Sequence, residues 1–430
     1  MKYRFVMKSK TTALGFSAID EHRGEFRSDP SARPARRADR SIGLSNRSVW
    51  FSVGVIALVS ASIAAGPRAA VSTALAQTES KHPNAGPTEV DQKTSERRTI
   101  LGVKGSRFTL DGKETFLLGF SYYGAAGAPE DFVRRDLDDL QRRGFNWLRV
   151  WATCNLFEQD ITVVDSTGGP REHQLNKLKN IVADCDRRGL VVDVTLTRDK
   201  SNPGTGLPNL TAHLRAVRTV VTALKPYQNW FLDLANERDV GDDRYVPAVE
   251  LKTLRDEVRR LDPQRLVTAS FGGHDLGPQD VRDSLQTAGL DFLTPHRPRD
   301  RTSPAQTEAK TRETLALLME MSRLAPILYQ EPLRRGYIAW NPTSADLLTD
   351  LRGAKAGGAA GWCFHNGPER ESRENRPRRS FDLRSQRLLD QLDAEELIVV
   401  RRASIEIGRN GDDDGRRRKP APQVQTHRSE

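Results

Sequence analysis

The sequence predicts an α/β protein whose main domain is a (β/α)8 TIM barrel preceded by a short β-hairpin. Eight short apolar runs recur between residues 116 and 364, and amphipathic stretches of helical period separate most of them. Alternation of strand and helix implies parallel strands joined by crossover helices. Eight such units in about 280 residues match a (β/α)8 barrel, with an open doubly wound sheet as the second compatible architecture.

The hairpin is predicted at the start of the domain, where the text from Arg107 reads RFTLDGKETFLLGFSYYG. Asp111-Gly112 separates two apolar stretches in this text. An Asp-Gly pair suits the positive backbone angles of a tight two-residue turn, which makes it a strong hairpin signal.

The strands and helices of the barrel follow in strict alternation. The eight predicted strands are residues 116–120, 147–151, 191–196, 230–235, 266–271, 292–295, 327–330 and 361–364. The eight predicted helices are residues 131–143, 174–188, 210–224, 249–261, 279–288, 307–323, 344–355 and 383–394. Runs of this length bounded by turn residues are typical of strands buried on both faces.

The charges are unevenly distributed along the chain. The formal net charge is +10, yet residues 99–400 contain 43 basic and 43 acidic groups, so the excess lies in the two ends. A nucleic-acid-binding domain concentrates Lys and Arg in its folded part, which argues against DNA or RNA as a partner. The three cysteines, Cys154, Cys185 and Cys363, show no CxxC spacing and exclude a disulfide scaffold or a Cys-rich zinc site.

The amino-terminal part is expected to contain a targeting signal. Residues 49–65 form an uncharged, mostly apolar run followed by Ala74-Leu75-Ala76, as in a secretory signal with a small-x-small cleavage site. An uncleaved membrane anchor and a buried helix are the alternatives. We therefore expect a signal peptide or anchor with a long basic lead over 1–76 and a secreted, periplasmic or cell-envelope location. A polar linker over 77–98, the barrel over 99–400 and a disordered charged tail over 401–430 complete the expected domains.

Polar side chains that follow the strands are candidates for a site, because chemistry in (β/α)8 barrels occurs at the carboxyl ends of the strands. These residues are Tyr122, Tyr123, Arg149, Asn155, Arg198, Asp199, Asn236, Glu237, Ser270, His274, His296, Glu331, Trp362, His365 and Asn366.

Two carboxylates stand out among them. Glu237 in NWFLDLANERD ends strand four and Glu331 in APILYQEP ends strand seven, so the two face each other across the barrel mouth. Two carboxylates about 5–5.5 Å apart suit a retaining glycosidase, in which one is the nucleophile and the other is acid and then base.

With these residues, the domain from 107 to about 395 resembles the clan A glycoside hydrolases, the superfamily of cellulase-like and mannanase-like, family 5-like TIM barrels. The resemblance rests on LDGKETFLLGFSYYG, the Arg of NWLRVW, the strand-four Asn-Glu, and the single residues His296, Glu331 and Trp362. It implies a retaining hydrolase of β-linked oligo- or polysaccharide that needs no metal or organic cofactor. The roles it implies are Glu331 as nucleophile, Glu237 as acid/base, Asn236 on the sugar 2-hydroxyl, Arg149 holding the nucleophile ionised, Trp362 as subsite floor, and His296 and Tyr122 as further substrate contacts.

The mechanism requires the two carboxyl groups to differ in pKa. We expect Arg149 to keep Glu331 ionised, and the negative charge of Glu331 to keep Glu237 protonated.

The chain also departs from the family pattern. The family often has a Tyr two residues after the strand-six His, where this chain has Pro298, and a Pro after the Asn-Glu, where it has Arg238. A non-catalytic carbohydrate-binding or cell-envelope barrel of the same fold is therefore the alternative function. The sugar, endo or exo action and the oligomeric state are left open by the sequence.

Several candidates have a structural interpretation as well. Glu237 could pair locally with Arg238, and Glu331 could be a rim carboxylate paired with Arg334 or Arg335. Arg149 could be a buried structural partner, and Trp362 could pack in the core.

Overall fold

A three-stranded antiparallel sheet begins the part of the chain that the computed structural model describes, which comprises residues 98–154, 160–200, 206–336, 340–366 and 382–409. Its strands are β1 (Leu101–Lys104), β2 (Arg107–Leu110) and β3 (Lys113–Thr115). Asp111 and Gly112, which join β2 to β3, have φ of 52° and 79°. Positive φ at both positions matches the twist of the strands, and the predicted hairpin is confirmed.

The barrel strands follow in sequence. They are β4 (Leu117–Ser121), β5 (Trp147–Trp151), β6 (Val191–Thr195), β7 (Trp230–Asp233), β8 (Val267–Thr268), β9 (Ser270–Phe271), β10 (Thr294–Pro295), β11 (Leu328–Tyr329) and β12 (Gly361–Phe364). β8 and β9 are the two halves of the fifth predicted strand. Each of the eight predicted strands is therefore present.

The strands close into a ring. The order β11-β12-β4-β5-β6-β7-β8 is parallel throughout, and β9 pairs in parallel with β10. A parallel bridge between Leu293 and Ile327 joins the segment before β10 to the segment before β11. This closure confirms the (β/α)8 barrel and excludes the open doubly wound sheet.

The helices surround the ring. They are α1 (Glu130–Arg142), α2 (Glu172–Arg188), α3 (Leu210–Leu224), α4 (Ala248–Leu261), α5 (Pro278–Arg282), α6 (Ser303–Glu320), α7 (Ser344–Gly357) and α8 (Ala394–Glu406). α5 continues into a π-helical turn, Asp283–Thr287.

The last helix lies further along the chain than the sequence predicts. The side chain of Asp393 accepts a hydrogen bond from Glu396 N, and the Glu396 side chain accepts one from Asp393 N, so this capping box begins α8 at Ala394. The predicted helix 383–394 is therefore wrong, and α8 continues past the domain end expected at residue 400. Its buried residues include Val399, Val400 and Ala403.

The barrel core has two layers. Inside the ring, at the amino ends of the strands, Phe108, Phe231 and Phe292 stack edge to face, with ring centroids 5.0–5.1 Å apart. Phe108 belongs to β2, so the small sheet closes the amino-terminal end of the barrel. The larger apolar layer lies between the strands and the helices. A closed amino end leaves the carboxyl ends of the strands as the open face.

No helix within the described ranges is long and apolar enough to cross a membrane. The apolar run 49–65, all of the linker 77–98 except its last residue, and Asn155 lie outside those ranges, as does the chain after residue 409. The expectations for them stay predictions.

Candidate active site

Arg149, an inward-facing residue of β5, lies beneath the barrel mouth with no exposed surface. Its Nη1 donates to Glu331 Oε1, and its Nη2 donates to Asp233 Oδ2 at 3.0 Å and to Asn236 Oδ1 at 2.9 Å. Its Nε donates to Thr195 Oγ1 at 3.2 Å. A guanidinium held by three strands orients Glu331 and Asn236 rigidly, because a buried charge is stable only when its donors are satisfied.

Glu331 follows β11 and is buried. Burial alone would raise the pKa of its carboxyl, but His296, His365, Arg149 and Arg299 together hold that pKa well below its usual value. The nearest nitrogen atoms of His296 and His365 are each 3.6 Å from Oε2, and Arg299 Nη2 donates to the same oxygen at 3.0 Å. Glu331 is therefore an ionised carboxylate.

Arg299 also bears on the departure from the family pattern. The chain has Pro298 where the family often has a Tyr that donates to the nucleophile, and Arg299, the next residue, donates to Glu331. The second donor to this carboxylate is thus present as a guanidinium.

Glu237 follows β7 and faces Glu331. Its backbone N–H donates to Ser270 Oγ at 3.0 Å, and its φ of 49° is in the left-handed region that non-glycine residues rarely adopt. Its Oε1 lies 3.3 Å from His296 Nδ1, and its Oε2 accepts from Arg244 Nη1.

These contacts decide the protonation of Glu237. Burial raises the pKa of its carboxyl and so does the charge of Glu331, but the hydrogen bond and charge of His296 and the charge of Arg244 outweigh them, so the pKa is lowered. The expectation that Glu331 keeps Glu237 protonated is therefore wrong for the unliganded site. The main reason is His296, whose hydrogen bond and charge lower this pKa most, and the charge of Arg244, a loop residue with no signal in the sequence, adds to the effect.

The two carboxylates converge. One oxygen of Glu237, one oxygen of Glu331 and a nitrogen of His296 all lie within 4.8 Å of one another. This separation suits direct attack by one carboxylate and is shorter than the roughly 6.5–9.5 Å that leaves room for a water between them. Two carboxylates and an imidazole could also hold a metal ion, but Arg149, Arg244 and Arg299 already neutralise them.

Tyr122 and Trp362 lie away from this site. Both are buried in the layer between strands and helices, where Tyr122 Oη donates to Asp136 of α1 at 2.9 Å and Trp362 Nε1 donates to Asp350 of α7 at 2.7 Å. The predicted substrate contacts through Tyr122 and Trp362 are therefore wrong. Consecutive residues in extended chain face opposite sides of the sheet. Tyr123, the residue after Tyr122, therefore faces the site.

Tyr123 reaches the site through a histidine. Its hydroxyl lies 2.7 Å from His365 Nδ1, and the Arg149 guanidinium lies 5.7 Å from its ring centroid. His365 in turn faces Glu331.

Sequence reasoning missed four charged residues of the site. Asp193 and Asp233 lie inside β6 and β7, and each pairs with Arg149. Burial raises the pKa of Asp193 to about 8 against the opposing charge of Arg149, and Gln330 donates to it at 2.6 Å. A carboxylate within an apolar strand was a readable signal, because it needs a buried partner. The loop residues Arg244 and Arg299 carried no such signal.

Other candidates have structural partners. Arg198 bonds Glu250 at 2.9 Å and His213 at 3.2 Å, His274 lies 3.3 Å from Asp280, and Cys154 is buried.

The comparisons with known proteins show a likeness of fold. No family model matches the chain, and no curated protein matches its sequence. A solved structure named only as a glycoside hydrolase is 11% identical with a TM-score of 0.53, covering 73% of this chain and 74% of that one. A glycoside hydrolase family 5 mannosidase from Rhizomucor miehei is 14% identical with a TM-score of 0.51, covering 73% and 98%. The exo-β-1,4-mannosidase Op5Man5 from Opitutaceae bacterium strain TAV5 is 19% identical with a TM-score of 0.50, covering 70% and 61%. The chain has the fold of the clan A, family 5-like glycoside hydrolases.

Proposed function

We propose that this protein is a retaining glycoside hydrolase that cleaves a β-linked oligo- or polysaccharide. The observation that carries the proposal is the approach of Glu237 and Glu331 to within 4.8 Å, at the carboxyl end of a barrel with the glycoside hydrolase fold. The ionised state of Glu331 suits a nucleophile.

The reaction takes two displacements. Glu331 attacks the anomeric carbon while the bond to the leaving oxygen breaks, and Glu237 gives that oxygen a proton. Glu237, now a carboxylate, then removes a proton from water, and the water oxygen attacks the same carbon and releases Glu331. We assign to Asn236, whose Oδ1 accepts a hydrogen bond from Arg149, the contact with a sugar hydroxyl.

Glu237 must take up a proton before the first displacement. His296 and Arg244 oppose this in the unliganded site, so a bound substrate has to weaken one of these contacts. Arg244 is the more easily displaced of the two, since His296 is fully buried whereas a third of the Arg244 side chain is exposed.

The first substrates to test are aryl β-mannosides, since two of the structural neighbours are named as mannosidases. Glu331→Ala is expected to abolish turnover for every leaving group. Glu237→Ala is expected to react in the first step with an acidic phenol, which leaves without protonation, and then to stall. Mass spectrometry should show one sugar added at Glu331.

Azide separates the two roles. It needs no deprotonation and fits the space left by the Glu237 side chain, so it should restore turnover of Glu237→Ala and give a β-glycosyl azide. Glu313→Ala, which removes an exposed carboxylate of α6, is the matched control and should keep full activity. Full activity of Glu237→Ala without azide, or a β-azide product from Glu331→Ala, would reverse the assignment. Binding of oligosaccharide without turnover in the wild type would favour the non-catalytic barrel.

A further inference from the structure

The loop between β7 and α4 places Arg244 on the solvent side of the acid/base. One corner of its guanidinium, Nη1, donates to Glu237. The other edge is held by Asp242, whose carboxylate accepts from Nε at 3.0 and 3.1 Å and from Nη2 at 2.7 Å. Asp242 therefore anchors Arg244 at the rim, and Nη1 is the corner that can change partners.

The opposite side of Glu237 offers no such exchange. His296 has no exposed surface, and Ser270, which receives the Glu237 N–H, is buried as well. Arg244 is thus the partner of the Glu237 carboxylate that has exposed side-chain surface.

The chemistry of the site defines which substrate group suits Nη1. Withdrawing a guanidinium from a carboxylate is favourable only when another acceptor of similar strength replaces it, and hydrogen bonds between two charged groups are about twice as strong as neutral ones. A sugar hydroxyl is a weaker acceptor for Nη1 than the Glu237 carboxylate. A sugar carboxylate is an acceptor of equal strength.

The charges around the mouth admit such an anion. Arg299 and Arg149 neutralise Glu331, and Arg149 is also paired with Asp233. When Nη1 turns to the substrate, the guanidinium lies between the Asp242 carboxylate and the sugar carboxylate, and Glu237 is left beside a negative Glu331, which favours its protonation.

Tyr245 adds a surface for a sugar ring. It is adjacent to Arg244 and 44% exposed, the one aromatic residue among the large apolar side chains exposed within the described ranges. Aromatic faces bind the C–H surfaces of sugars. Because the proton donor must lie beside the leaving oxygen, Arg244, which contacts Glu237, lies on the side of the leaving group.

We propose that the leaving-group subsite takes a uronic acid, whose carboxylate is bound by Arg244 and whose ring packs on Tyr245. The inference rests on the proposed function. In the complex, Arg244 Nη1 moves from Glu237 to the sugar carboxylate, Glu237 takes a proton from solvent, and that proton passes to the glycosidic oxygen as the bond breaks.

The test compares two matched disaccharides. In the first, a β-mannosyl unit is linked to glucuronic acid, and in the second the carboxyl of that same sugar has been reduced to the alcohol. The wild type is expected to favour the acid by about tenfold in kcat/KM, the order expected for one charge-assisted contact. In Arg244→Gln the ratio should fall to about one. Arg244→Lys should keep part of the preference for the acid, since it retains the positive charge but loses the bidentate geometry of the guanidinium.

Arg218→Gln is the control, because it removes an exposed arginine that pairs with Glu257 between α3 and α4, away from the mouth. Its acid preference should equal that of the wild type. Hydrolysis without an acid preference, or a preference that survives Arg244→Gln, would overturn this inference and leave the glycosidase standing.

Calorimetry separates the two failures. If neither disaccharide is hydrolysed and no sugar is trapped on Glu331, the proposed function fails, and the dissociation constants then decide the subsite. Tighter binding of the acid, lost in Arg244→Gln, would uphold the subsite. Equal dissociation constants would overturn it.

Discussion

The candidate site depends on one buried arginine residue. Arg149 faces three carboxylates, Asp193, Asp233 and Glu331, with a single positive charge. Burial raises the pKa of Asp193 to about 8 against the charge of Arg149, which weakens its competition with Glu331 for that charge. Glu331 can then be ionised although it is buried.

Trp362 faces the helices and Tyr123 faces the site. We therefore expect a substitution of Trp362 to affect stability and a substitution of Tyr123 to affect activity. Trp362→Phe removes the donor to Asp350 and should lower the free energy of unfolding by about 1–3 kcal/mol with KM unchanged. Tyr123→Phe removes the hydroxyl next to His365 and should lower kcat instead. Urea unfolding and steady-state kinetics of both variants check this. A raised KM with unchanged stability in Trp362→Phe would show that Trp362 contacts the substrate.

His213 makes stability depend on pH. Its Nε2 lies 2.8 Å from Leu234 O and donates to it, and its Nδ1 accepts from Arg198, so the ring must be neutral. Burial and then the charge of Arg198 lower its pKa to about 3. Because the unfolded chain binds a proton near pH 6.5, stability should be full above that pH and fall by up to about 1.4 kcal/mol per unit toward pH 3.

His213→Gln separates this contribution from the other titrating groups. A glutamine can donate to Leu234 and accept from Arg198 without titrating. Its free energy of unfolding, measured in urea from pH 6.5 to 4.5, should fall by about 1 kcal/mol per unit less than that of the wild type. Identical slopes would mean that His213 does not titrate as described.

At the scale of elements, periodicity and apolar runs were sufficient to predict the strands. Burial on both faces leaves a mostly apolar run, as in FLLGF and GWCF. These patterns did not predict which side of the barrel wall a residue just past a strand end faces. Tyr122 and Tyr123 are adjacent in sequence and face opposite sides. Arg244 and Arg299 lie in loops, where no period links sequence to position.

The β1–β3 sheet is expected to stabilise the barrel without touching its chemistry. Phe108→Ala removes an aromatic ring that packs on Phe292 and should lower the free energy of unfolding by about 3–5 kcal/mol with KM unchanged. Val103→Ala, on the same sheet but 36% exposed, is the control and should change stability by less than about 0.5 kcal/mol. Urea denaturation measures both, and similar losses would show that the ring is not a core residue.

At the scale of the whole molecule, the barrel extends beyond the predicted end at residue 400. Ile407 is buried after the end of α8, and Arg409 Nη1 donates to Gly144 O at 2.9 Å. The sequence contains the capping box at Asp393, but the leucines before it led to the prediction of an earlier helix. In the structure, Leu389–Gln391 form a short 3-10 turn instead, and α8 begins after Asp393.

A chain of residues 98–400 should therefore melt well below a chain of residues 98–409. The shorter one loses buried Ala403 and Ile407, and a deficit of roughly 5 °C or more is expected. Calorimetry of the two, with Ile407→Ala in the longer chain as an intermediate case, makes the comparison. Equal melting temperatures would show that the last turn of α8 adds no stability.

The left-handed backbone of Glu237 sets the stability of the fold against the proposed chemistry. A non-glycine residue at φ 49° lowers stability by about 1–2 kcal/mol relative to a glycine in the same place. A glycine at this position would relieve that loss of stability but would remove the carboxylate. The stability of the fold and the proposed chemistry therefore make opposite demands on residue 237.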